Sequence, residues 1–80
     1  MELNRMRARM VEILQARRSK LALEVERVAD PAQLPLDVKE LIADELGEEF
    51  AAKGLRADSE PNEYGLELER LTDALKLGRR

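Results

Sequence analysis

The chain has 80 residues, 44% of them apolar and 39% charged, with a net charge of −3, no His, no Cys, and Phe50 and Tyr64 as its aromatics. The missing His and Cys exclude disulfides, thiolate chemistry and ordinary zinc sites, and the scarcity of aromatics removes the stacking platform on which single-stranded nucleic acid is bound. This length allows one domain, 1–80, burying little more than ~60% of its unfolded surface, so a partner is the natural supplement to a small core.

Ala, Leu, Glu and Arg dominate and strand formers are scarce, which predicts an all-α fold. Leu3, Met6, Met10, Ile13, Leu14, Leu21, Val25 and Val28 recur at three- and four-residue steps, predicting one long helix over about 2–29. Asp30-Pro31 stops it, Pro35 prevents resumption, and 30–36 reads as a connector in which Asp30, Pro31 and Gln33 suit a single capped turn. A second helix, about 37–53, has Asp37 and Glu40 as a capping box and Val38, Leu41, Ile42, Leu46 and Phe50 as its stripe. Gly47 is an interior defect, and Lys53-Gly54-Leu55 predicts a left-handed Gly54 at the end. A third helix, about 60–77, starts from Ser59 or Asn62 with Pro61 in its first turn. It carries Tyr64, Leu68, Leu71 and Leu75 on one line and stops at Gly78. The architecture expected is thus a three-helix arrangement, with a long N-terminal helix and a shorter C-terminal helical hairpin. At ~40 Å the first helix outreaches that hairpin, so a two-fold homodimer is expected to complete the core.

Charge is distributed in sequence order. Residues 1–20 hold six cations against Glu2 and Glu12, whereas 37–73 hold twelve acids against Lys39, Lys53, Arg56 and Arg70. Arg17 falls within the first apolar stripe with Glu24 near its edge, and Glu45 and Glu49 fall within the second. Arg17 is therefore expected to pair with one of these acids, within the chain or across a dimer, and to fix helix register. The competing expectation is a half-exposed stripe from which Arg17 reaches water. Leu66, Arg70 and Leu77 on the back of the third helix form a further candidate dimer strip.

Arg5, Arg9, Lys20 and Arg27 form a cationic line on the back of the first helix, suited to phosphates. The acidic balance, with an isoelectric point near 5.0, and the Glu63, Glu67, Glu69 and Asp73 face of the third helix argue against that use. Around 58–69 the acids mimic part of a calcium loop, but Glu63 stands where the sharp turn needs glycine, so no metal or cofactor is expected. Ser19, Ser59 and Thr72 lack an evident activating base, and catalysis is not expected.

The resulting expectation is a cytoplasmic, non-catalytic protein-interaction module of the adaptor, inhibitor, immunity or antitoxin type, with no membrane contact. It would present Asp44, Glu48, Glu60, Asn62, Glu63 and Tyr64 to a protein partner with a basic surface. The alternative is a nucleic-acid-associated regulator that uses Arg5, Arg9, Lys20 and Arg27.

Overall fold

A computed structural model describes residues 2–77, which form four α-helices and one 3₁₀ turn around a single aliphatic core. The helices are α1 (Glu2–Ala16), α2 (Leu21–Glu26), α3 (Leu36–Lys53) and α4 (Glu63–Ala74), with the 3₁₀ turn at Pro31–Gln33. No helix among the described residues is long and apolar enough to cross a membrane.

The main departure from the sequence reading is at Arg17–Lys20, where the expected long helix ends and α2 begins. The ending is a Schellman motif. Arg18 takes a left-handed conformation (φ 58°), its N–H donates to the Gln15 carbonyl at 2.9 Å, and the Ser19 N–H donates to Leu14 at 2.9 Å. Ser19 then restarts the chain, its Oγ accepting from the Leu21 N–H at 3.2 Å. Only the conformation of Arg18, which glycine would adopt without steric cost, opposes the break.

Folding the apolar stripe back on itself lets Ala22 and Val25 of α2 join Met10, Ile13 and Leu14 of α1 in the core. Met6 to Val28 of a stripe that would extend ~40 Å as one helix thereby pack in or against the core of one chain. The geometric reason for expecting a second copy is removed with the long helix. Leu34, Ile42, Leu46, Leu68, Leu71 and Leu75 complete the interior.

In the connector Asp30 Oδ1 accepts from the Ala32 N–H at 3.0 Å and Pro31 occupies the first turn, as expected, while Gln33 contributes its backbone N–H, which donates to the Asp30 carbonyl at 2.9 Å. The second capping box does not form. Helix α3 starts one residue earlier, at Leu36, with Pro35 at its N-cap, and Asp37 Oδ1 accepts from the Val38 N–H instead.

Gly54 ends α3 at φ −96°, not left-handed, and is needed for closeness instead. A Cβ on Gly54 would stand 3.0 Å from the Gly65 Cα, and one on Gly65 would collide with the Gly54 carbonyl. The two glycines let the ends of α3 and α4 cross at backbone contact. Asn62 closes the hairpin: its Oδ1 caps α4 on the Gly65 N–H at 2.7 Å, its Nδ2 donates to the Lys53 carbonyl at 2.9 Å, and its N–H donates to Gly54 at 2.9 Å.

Helix α4 is shorter than expected at both ends. Lys76 adopts φ 52° after Ala74, and its carbonyl accepts from Lys39 Nζ at 3.0 Å; the same ammonium donates to Ala32 at 3.2 Å. A buried lysine thus ties the end of α4 to the 3₁₀ turn, placing a cation at a helix C-terminus where it is favoured. Leu77 turns inward against the core. Gly78, the expected stop, and Arg79 and Arg80 lie outside the described residues.

Candidate functional site

Arg17, just beyond α1, meets one face of α3. Its Nε donates to Glu45 at 2.7 Å, Nη1 to Glu49 at 2.8 Å and Nη2 to Glu48 at 2.7 Å. One guanidinium fork thus satisfies three carboxylates spaced along a helix, a task suited to its planar donors. Tyr64 Oη at the start of α4 donates to the other oxygen of Glu49 at 2.7 Å. Glu49 is therefore shared by three segments at an exposure of only 8%.

The hydroxyl of Tyr64 and then the guanidinium of Arg17 hold the Glu49 carboxyl below its ordinary range, against the opposing effect of burial. Arg17 is held above its ordinary value, first by the hydrogen bond to Glu45 and then by that to Glu49. Burial, followed by donation to Glu49, pushes Tyr64 up to about 12.

Arg9 continues the polar seam. Its Nε donates to Glu67 at 2.8 Å and Nη1 to Glu12 at 3.0 Å, and its guanidinium carbon lies 5.7 Å from the centre of the Tyr64 ring. The hydrogen bond to Glu67, followed by that to Glu12, raises its pKa.

The candidate residues divide accordingly. Arg17, Glu45 and Glu49 come together within the chain, Glu48 joins them, and Glu24 does not: it faces Arg27 at 3.7 Å. The expected cationic line is not one helical face. Arg5 and Arg9 are on α1, Lys20 is in the turn, Arg27 follows α2, and Arg9 is occupied by acids. The Leu66, Arg70 and Leu77 strip is also lost, because Leu77 lies past the end of α4 and packs inward. Arg70 instead lines a recess of about 170 Å³ between α1 and α4 with Arg5, Met6, Arg9, Glu67 and Leu71. Among the proposed partner-binding residues, Asn62 and Tyr64 hold the hairpin and the seam together, while Glu60 and Glu63 are exposed beside them.

Asp44 belongs to a different feature. Between α3 and α4 runs an open groove of about 420 Å³, lined by Ala43, Leu46, Gly47, Phe50, Leu68 and Thr72, with Asp44, Glu69 and Asp73 beside them. None of these three acids has an ion-pair partner among the described residues. Glu69 and Asp73 read in the sequence only as part of an acidic helix face, because the groove exists only once α3 and α4 are set side by side.

The chain matches no protein-family model, no curated protein and no solved structure. The chemistry of its two features is therefore the guide. The seam consists of mutually hydrogen-bonded charges shared between segments, which is an arrangement that joins helices. The groove combines exposed apolar atoms with uncompensated carboxylates, which is an arrangement that receives something.

Proposed function

We propose that this protein is a non-catalytic interaction module that engages a basic protein surface through the acidic face shared by α3 and α4. The observation that carries this reading is the groove between those helices: Gly47 is exposed and Ala43 and Phe50 are half-buried along it, over a floor of buried Leu46 and Leu68, and Asp44, Glu69 and Asp73 stand around it without ion-pair partners among the described residues. Charge complementarity of this kind steers encounter and selects a partner of opposite sign. The seam is consistent with this reading, since Arg9, Arg17, Glu45, Glu49 and Glu67 are paired with one another within the fold, whereas the three acids of the groove are not.

The test compares immobilised wild-type protein with the charge-reversed triple variant Asp44→Lys, Glu69→Lys, Asp73→Lys as baits for proteins from the native cell. A basic protein retained by the wild type at low salt, released by added salt and not retained by the variant is the expected result. Equal retention by both baits rejects the assignment of the surface.

A further inference from the structure

The groove contains a residue that the fold does not explain. Gly47 lies in the middle of the 18-residue helix α3, where glycine is about 1 kcal/mol worse than alanine. The other two described glycines of the hairpin are required by the contact between Gly54 and Gly65. A Cβ on Gly47 would meet nothing within 4 Å. Within this chain the glycine therefore costs stability and relieves no clash. Its place on the groove wall, next to the side chains of Leu46 and Phe50, gives it a use: a bare stretch of helix lets another backbone approach closely.

We infer that the groove receives a cationic amphipathic helix of the partner, which lays aliphatic side chains against Ala43, Phe50 and the bare backbone at Gly47 while its Lys or Arg residues face Asp44, Glu69 and Asp73. This inference rests on the proposed function and specifies its partner. An aliphatic stripe suits the apolar lining, and flanking cations suit the uncompensated acids; a purely polar cation would leave the lining wet, and an acidic helix would be repelled. A second copy of this chain does not fit the description as folded, because Met10, Ile13 and Leu14 on the apolar face of its most basic helix, α1, are buried in its own core.

The probe is a fluorescent synthetic helix of Leu and Lys with its leucines on one face, compared with a peptide of the same composition whose leucines are scattered, and with oligolysine. Fluorescence anisotropy is measured against wild type, Gly47→Ala and Gly47→Leu, with folding of each variant checked by circular dichroism. The expected result is that the amphipathic peptide binds the wild type about tenfold or more tightly than either control, the equivalent of burying one aliphatic side chain. Gly47→Leu removes that preference. Gly47→Ala, which the open space accommodates, weakens amphipathic binding while raising the melting temperature, and carries the comparison if the leucine variant does not fold.

If all three peptides bind equally and neither variant matters, the groove inference is overturned while the acidic surface stands. If no cationic peptide binds at low salt, both readings fail. If the wild type self-associates and Gly47→Leu makes it monomeric, the occupant is a second copy and the inference is overturned.

Discussion

Replacing Arg17 with Met should destabilise the fold by roughly 2 kcal/mol, most of it through Glu49. The side chains of Glu45 and Glu48 are 31% and 69% exposed, so water compensates them when the guanidinium is lost, and each of those pairs contributes at most about 0.5–1 kcal/mol. Glu49, at 8% exposure, keeps only the Tyr64 hydroxyl and the distant Lys53 ammonium at 3.9 Å, and an under-satisfied buried carboxylate costs about 1–3 kcal/mol. Urea unfolding of wild type, Arg17→Met, Glu49→Gln and the double variant separates the contributions. The Arg17→Met penalty should fall to about 1 kcal/mol or less in the Glu49→Gln background, where no buried charge is stranded. The pH dependence has a defined sign. Because the Glu49 carboxyl is depressed in the folded state, its contribution is present above the ordinary carboxylate range and is lost as pH falls through the depressed value. A penalty for Arg17→Met that is the same in both backgrounds refutes the assignment of Glu49 as the centre of the seam.

Three further outcomes follow from the geometry. Tyr64 is the sole tyrosine and the chain has no Trp, so ultraviolet titration of the phenol should show a midpoint near 12 in the folded protein and near ~10 in denaturant. Its folded pKa is raised, so the associated stability is complete below the unfolded value and is lost as pH rises through 12; a folded midpoint at the denatured value rejects its bond to Glu49. Gly65→Ala should cost more than about 2 kcal/mol in a thermal or urea melt, because its methyl collides with the Gly54 backbone, whereas Gly47→Ala should stabilise by about 0.5–1 kcal/mol. Arg18→Gly should stabilise by roughly 0.5–1 kcal/mol, since glycine takes the left-handed position freely; destabilisation of a correctly folded variant contradicts the helix break.

Much of the fold was legible in local chemistry. The Asp30-Pro31 turn depends on adjacent residues whose backbone demands are strong, and Asn62 is one of the two caps that the sequence offers for α4; the end of α3 at Lys53 falls where the sequence places it, but with Gly54 serving its contact with Gly65 and not a left-handed turn. The break at Arg17–Lys20 was not legible in that way, because the helical period of apolar residues continues across it and no Gly or Pro interrupts it. Ser19 is the available signal, and it is weak beside a periodicity that serves two helices packed against each other as well as one long one. The role of Lys39 is hidden in the sequence for a related reason: a lysine reads as solvated until the carbonyls of Ala32 and Lys76, far apart in sequence, are brought to its ammonium. Arg17, Glu45 and Glu49 stood out because charges inside apolar stripes demand partners. Glu69 and Asp73 did not, since an acid on a helix surface acquires meaning only from what lies across the groove.

The most direct measurement is an amide chemical-shift map of the isotope-labelled wild-type protein titrated with the amphipathic Leu/Lys helix. The account predicts saturable shifts concentrated at 43–50 of α3 and 68–73 of α4, with α1 and α2 little changed. Shifts centred on α1 and α2, or spread evenly over every exposed acid with no saturation, would contradict the groove as the place where this protein meets its partner.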